Sequence, residues 1–395
     1  MHFTPSHLRV LRILIISSLI TIMACSRKTP PNKTTTEEST PVTRDNLVHA
    51  SQAILLQAQQ RGLQQATATW SSQLFARPEQ RNDTWQRGIS LGLFASTQDP
   101  EEQRKIYQSL LDEIKQAGAT DISIVVRWRQ DTVHSSKIYQ DQGITVPDEL
   151  LIQVLQDAHQ RGLRTFLLPI IWLKERKMGV WRGTIAPQDE NAWWKDYERF
   201  IMHYAQIAEQ NQVSLLSVGS ELLSMETKKE RWDTLISKVR ANYSHKLTYS
   251  ANWDHFEVPT FWDKLDVVGL TAYQELSKQP DPSVKELQLG WRSFTVRLNT
   301  WARENQFHYI FTEVGYPSHA KGAAYPWNYS ANAAPAPNLQ AKCYQSMMQQ
   351  WHADPRLDGV YIWNWFGFKS LQDRGYTPRG KPAQAILERW YKESM

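Results

Sequence analysis

The sequence predicts a (β/α)8 barrel with an extra N-terminal helix. From Gly88 onward, short apolar runs alternate with helical patterns, and eight such runs fit the size of this fold, roughly 250 residues or more. The runs are apolar and β-branched on both faces, as strands covered by helices on each side must be. No glycine-rich phosphate loop follows the first run, which argues against a doubly wound open sheet.

Taken in order, the strands are expected at 88–94, 121–128, 164–173, 214–222, 246–254, 266–274, 308–316 and 359–366. The helix after the first strand, 103–117, repeats Ile106, Leu110, Leu111 and Ile114 on one face and stops at Gly118. The next, 148–161, carries Leu151, Val154, Leu155 and Ala158 and stops at Gly162. Similar patterns cover 192–210, 230–242, 284–305, 339–352 and 382–391. The fifth connection, 255–265, is short and holds one helical turn or two. These elements make residues 85–395 the barrel. Cys343 falls in a helical pattern and is expected to be buried.

Ahead of the barrel the chain changes character. Arg9 and Arg12 precede an apolar run, Ile13 to Ala24, that is short for a membrane span and fits a secretion signal. Its end, Ile22-Met23-Ala24-Cys25, resembles a bacterial lipobox. That resemblance implies removal of residues 1–24 and lipid attachment to Cys25, hence a membrane-tethered protein of the cell envelope. Ser26 rather than Asp follows, which by analogy favours the outer membrane, facing periplasm or exterior. Residues 25–45 read as a flexible tether rich in Thr, Pro, Lys and Glu. Residues 46–84 form a helical extension with a thin apolar stripe of Leu47, Ile54, Leu55 and Leu63.

Composition narrows the function classes. A net charge of +5 without a long basic run gives no support for a nucleic-acid partner. Two cysteines make no disulfide framework. No Cys/His spacing suits zinc, His134, His255 and His319 make no ligand set, and nothing calls for a cofactor. The 17 tryptophans exceed ordinary need. Flat aromatic faces suit stacking on sugar rings, and indoles also fill cores. The oligomeric state stays open.

The chemistry is carried by two strand ends. Ser214-Leu215-Leu216-Ser217-Val218-Gly219-Ser220-Glu221 delivers one carboxylate, and His308-Tyr309-Ile310-Phe311-Thr312-Glu313 delivers another. In a barrel, strand C-termini hold the active site. Glycosidic bond cleavage needs two carboxyl groups, one to protonate the leaving oxygen and one to attack or to activate water; their separation decides between retention and inversion. Glu175, Glu226, Asp254 and Glu275 also lie just past strand ends and read as solvated loop charges. The 317–337 loop after the seventh strand is long enough to shape a cleft.

The stretches Val218-Gly219-Ser220-Glu221-Leu222 and Phe311-Thr312-Glu313-Val314-Gly315-Tyr316 resemble clan A glycoside hydrolases, and most closely family 113, known mainly for β-mannan hydrolases. Val180-Trp181-Arg182-Gly183, Tyr249-Ser250-Ala251-Asn252-Trp253 and Val268-Gly269-Leu270-Thr271-Ala272-Tyr273 support it. The resemblance covers roughly residues 88 to 370. It implies Glu221 as acid/base and Glu313 as nucleophile of a retaining double displacement on a polysaccharide or oligosaccharide. It implies Arg127 and Tyr273 as the groups holding Glu313 ionised, and a raised pKa for Glu221. Trp363 is expected to floor the cleaved sugar, with Trp365 an equal choice on parity. Asn252 and Trp253 line an adjacent subsite, Trp172 ends strand three, and Trp181 and Arg182 overhang the cleft. Two departures stand out. Ser220 occupies the place where most clan members have Asn, and Pro169-Ile170-Ile171-Trp172 lacks the family's polar residues. Those departures weaken mannan specificity more than glycosidase chemistry; xylan, glucan and peptidoglycan remain alternatives, as does a barrel that binds glycans without cutting them.

Overall fold

The computed structural model describes residues 84–393 apart from 97, 98, 176 and 178. The signal, Cys25, the tether and the 46–84 helix, whose last residue alone is described, lie outside these residues.

Eight parallel strands close into a barrel in sequence order, with the eighth pairing back to the first. They are β1 (Gln86–Gly92), β2 (Asp121–Gln130), β3 (Arg164–Leu173), β4 (Leu215–Ser220), β5 (Lys246–Asn252), β6 (Val268–Thr271), β7 (Tyr309–Val314) and β8 (Leu357–Ile362). The connecting and closing helices are α1 (Pro100–Gln116), α2 (Asp148–Gln160), α3 (Glu190–Gln210), α4 (Lys229–Arg240), α5 (Val284–Glu304), α6 (Pro337–Trp351) and α7 (Pro382–Glu393). The link between β5 and β6 holds only a 3-10 turn at Trp262–Lys264, because the chain there is too short for a full helix.

Local chemistry starts the helices. The Asp99 carboxylate accepts from the Glu101 amide ahead of α1, whose first residue is Pro100. Ser283 and Glu286 make a reciprocal capping box on α5.

Two apolar clusters divide the interior. The larger lies between strands and helices and absorbs most of the indoles: Trp193, Trp232, Trp291, Trp351, Trp365 and Trp390 are fully buried. Core packing, more than sugar stacking, explains the tryptophan count. The smaller cluster, Val125, Phe166, Leu168, Ile170, Leu215, Ile310 and Tyr361, comes from strands alone and fills the barrel. It fixes which side chains point inward. From Tyr361 on β8 the inward side continues to Trp363, just past the strand's end. Cys343 is fully buried on α6.

Candidate active site

The end of β4 is bent into its working shape. Pairing with β5 shifts between Ser217 and Ser220, where β4 uses one residue more than its partner. Gly219 sits in this bulge because nothing larger fits: a Cβ there would lie 2.4 Å from the Tyr197 hydroxyl oxygen and 2.9 Å from the Tyr249 ring. Tyr197 donates to the Val218 carbonyl at 2.7 Å, pinning the bulge to α3. The next turn places Glu221 at φ 53°, a left-handed conformation that costs a non-glycine residue about 1–2 kcal/mol. Two bonds maintain it. The Glu221 amide donates to the Ser250 carbonyl at 2.8 Å, and the Leu222 amide donates to the Tyr249 hydroxyl at 2.7 Å. Tyr249 in turn donates to Glu226 Oε1 at 2.7 Å.

β7 uses a bulge for another purpose. Ile310 faces the barrel interior and Phe311 the outer layer. Strict alternation would send Glu313 outward with Phe311. Instead, Leu270 pairs with Phe311 and Thr271 with Glu313, so Thr312 is the extra residue and Glu313 turns inward. Thr312 donates to the Leu270 carbonyl at 3.0 Å and shares a short hydroxyl contact with Ser250. Gly315 lets β7 approach β8, since a Cβ there would meet the Trp363 carbonyl oxygen at 2.3 Å.

Glu313 is 3% exposed. Tyr273 donates to its Oε2 at 2.9 Å, while Oε1 is buried without a partner. Burial pushes Glu313 up to about 8, the negative charge of Glu221 adds to this, and Arg182, the Tyr273 bond and Arg127 oppose it. The charge of Glu221 therefore reaches Glu313 and works against its ionisation.

The cations sit differently from the expected arrangement. The sequence offers Arg127 as one of two groups to hold Glu313 ionised. Its guanidinium instead donates to the Leu93 carbonyl at 3.2 Å and stacks on the rings of Phe94 and Trp172, at 4.6 and 5.1 Å from their centroids. Its charge reaches Glu313 through space. Arg182 is more than an overhanging residue: it pairs with Glu221 Oε2 at 2.5 Å and donates to the Ser220 carbonyl at 3.2 Å. Tyr273 is the group that meets Glu313 directly. Among the described residues no group of His, Cys, Asp or Glu is arranged to hold a metal.

Residues 92–381 match the family description Glycoside Hydrolase Family 113. The chain belongs to glycoside hydrolase family 113. Solved structures agree on the fold. A GH113 β-1,4-mannanase complex is 23% identical, with a TM-score of 0.69, covering 78% of this chain and 99% of that one. The GH113 β-mannanase of Alicyclobacillus acidocaldarius, in complex with ManMIm, is 23% identical, with a TM-score of 0.70 and coverages of 79% and 98%. A Faecalibacterium prausnitzii β-glucuronidase shares the barrel at 13% identity and TM-score 0.54, covering 78% of this chain and 49% of its own. No curated protein matches.

Around the carboxylates of this family 113 barrel, the aromatic residues divide. Trp363 stays half-buried at the inward parity of β8, with Phe366 edge-on at 6.1 Å. Trp365 is fully buried in the outer layer and cannot meet a sugar. The Trp363 amide still donates to the Val314 carbonyl of β7 at 2.8 Å, whereas the Trp365 amide has crossed to the Ser90 carbonyl of β1 at 2.9 Å, so strand parity no longer applies there. Trp172 is half-buried over Arg127. Trp181 is half-buried, 6.3 Å from the His255 ring. Asn252 accepts from the Thr271 hydroxyl at 2.9 Å, and Trp253 is stacked under Trp327.

The loop charges also divide. Glu175 pairs with Lys177 at 2.7 Å and Asp254 with His255 at 2.6 Å. Glu226 is no solvated charge: it is wholly buried, and burial pushes it up to about 7 against the Tyr249 bond. Sequence reasoning does not single out Tyr376 or Trp327, and it takes Glu226 only as loop charge and gives Tyr249 no role of its own. The signals present were the place of Glu226 just past a strand end and that of Tyr249 in the stretch Tyr249–Trp253 that resembles the family.

Proposed function

We propose that this glycoside hydrolase is a retaining β-glycanase acting on β-1,4-mannan or a closely related β-glycan. The observation that carries the reading is the pair of carboxylates at the ends of β4 and β7, one tied to Arg182 and the other to Tyr273. Glu313 attacks the anomeric carbon while Glu221 gives its proton to the departing glycosidic oxygen, leaving a glycosyl ester on Glu313. Glu221, now a base, takes a proton from water, and that water's oxygen displaces Glu313. The cycle needs the proton on the acid and none on the nucleophile: Tyr273 and Arg127 favour the anion on Glu313, and the negative charge of Glu221 opposes it. Trp363 floors the reacting sugar. The substrate assignment is supported by the mannanases that share the fold at nearly full length.

Digestion of mannan, xylan, glucan and cell-wall sacculi, with products read by mass, tests the substrate; release from mannan is expected. For the mechanism, Glu313→Ala loses turnover and azide restores it, giving a glycosyl azide of inverted configuration. Azide failure together with full activity of Glu221→Ala would sink the assignment. We further propose that Cys25 carries a lipid anchoring the enzyme to the bacterial membrane; Cys25→Ala released into the soluble fraction is the expected outcome.

A further inference from the structure

Three of the exposed large apolar side chains among the described residues crowd into one short loop segment: Tyr325, Trp327 and Tyr329, at 39, 46 and 44% exposure. The loop leads from β7, which bears Glu313, to α6. Exposed rings on a wandering loop would mean little, but this loop is held. The Tyr325 amide donates to the Lys321 carbonyl, and the Asn328 amide to the Tyr325 carbonyl, both at 3.0 Å. The fully buried His319 ring meets the Asn328 carbonyl at 2.9 Å. Tyr376 donates to the Pro326 carbonyl at 2.6 Å.

The rings themselves are braced. Trp327 lies nearly parallel to Trp253, at 6.3 Å and 22°, and Trp253 packs edge-on against the core ring of Phe294. Tyr325 meets Trp327 edge-on at 6.2 Å. The flat face is therefore set before any ligand arrives, and binding spends little on ordering it.

The position is specific. Trp253 follows the end of β5, next to the strand that carries Glu221. Tyr376, which holds the loop, packs on Tyr273 at 5.9 Å, and Tyr273 bonds Glu313. A chain of contacts thus leads from the loop that bears the platform to Glu313. Its chemistry is that of a carbohydrate surface. Indole and phenol rings offer an apolar face to the C–H face of a pyranose and a polar edge to its hydroxyls.

We propose that Trp327, braced by Trp253 and flanked by Tyr325 and Tyr329, is an accessory subsite that stacks on a sugar of the β-glycan chain beyond those at the cleaved bond. This rests on the glycosidase reading for its substrate class. It makes efficiency depend on chain length: long chains reach the platform and short ones do not.

The test compares wild type, Trp327→Ala and Trp327→Phe on an aryl β-mannoside and on β-1,4-manno-oligosaccharides of increasing length. Trp327→Ala is expected to lose roughly tenfold in kcat/KM on long chains, the worth of one aromatic anchor, and less than twofold on the aryl glycoside. Trp327→Phe keeps most of the long-chain rate, and both variants melt with wild type. Equal losses at every length, or no loss at any, overturn the platform while leaving glycosidase activity intact. Affinity electrophoresis in gels containing soluble mannan, xylan or glucan gives a readout that needs no turnover. If no substrate is cleaved but retardation still depends on Trp327, the platform stands and the hydrolase assignment falls. Equal migration of wild type and Trp327→Ala in every gel overturns it.

Discussion

Replacing Tyr273 by Phe removes one oxygen and little else. The ring stays in its buried place beside Tyr376, but the 2.9 Å bond to Glu313 Oε2 is gone. A buried hydrogen bond to a charged group contributes about 1.5–3 kcal/mol. If that bond serves the ionised nucleophile through to the transition state, kcat/KM falls roughly 10- to 150-fold. The pH profile gives an independent reading. The hydroxyl favours the anion, so its loss raises the Glu313 pKa beyond about 8. On the proposed mechanism turnover needs the anion, so the acid limb of kcat/KM moves to higher pH, by about one to two units. The assay is initial-rate hydrolysis from pH 4 to 10, beside thermal melts. A Tyr273→Phe chain that melts like wild type, retains its kcat/KM within twofold and keeps its acid limb would refute the argument that Tyr273 tunes the reacting carboxylate.

Other substitutions probe the scaffold. Glu313 is raised from an ordinary 4.5 to about 8, so its stabilising contribution is full below about pH 4.5 and is lost as pH rises through 8. Glu313→Gln should therefore melt above wild type by roughly 2–5 °C at pH 9, with the gap closing toward pH 4; a pH-independent difference contradicts this. Gly219→Ala forces a Cβ against Tyr197 and Tyr249 and should cost about 1–3 kcal/mol, with a loss of kcat as Glu221 shifts. Trp365→Ala empties a buried site and should cost about 3–5 kcal/mol in denaturant melts while folded molecules keep their turnover. Trp363→Ala should do the reverse, losing more than about tenfold in kcat/KM with little change in melting.

Much of the barrel was legible because its strands are continuous apolar runs between clear helical faces. Strand β3 falls at 164–173 as expected, and the helix starts at 148, 284 and 382 agree. Both carboxylates stood out because each closes an apolar run. What the sequence hid are relations between strands. Nothing in Phe311-Thr312-Glu313 announces that Thr312 is supernumerary; that follows from the register against β6. Trp365 was misplaced for a related reason, since parity holds only while a strand continues. Glu226 looked like loop charge because its partner, Tyr249, arrives from the next strand. Arg182 needed the folded loop to find Glu221. The 317–337 loop is legible as long enough to shape a cleft, but nothing in its Ala, Asn, Pro and Tyr singles out Trp327.

The odd residue in β7 also sets a condition for anyone who would reshape this enzyme. A segment swapped in from another barrel, matched letter for letter but one position shorter, would keep its acid and lose its aim. The carboxyl would swing toward the helices, and the loop rings beyond it would turn by the same half-step. Grafts onto this scaffold must be counted from Leu270 on the neighbouring strand, not from the motif itself.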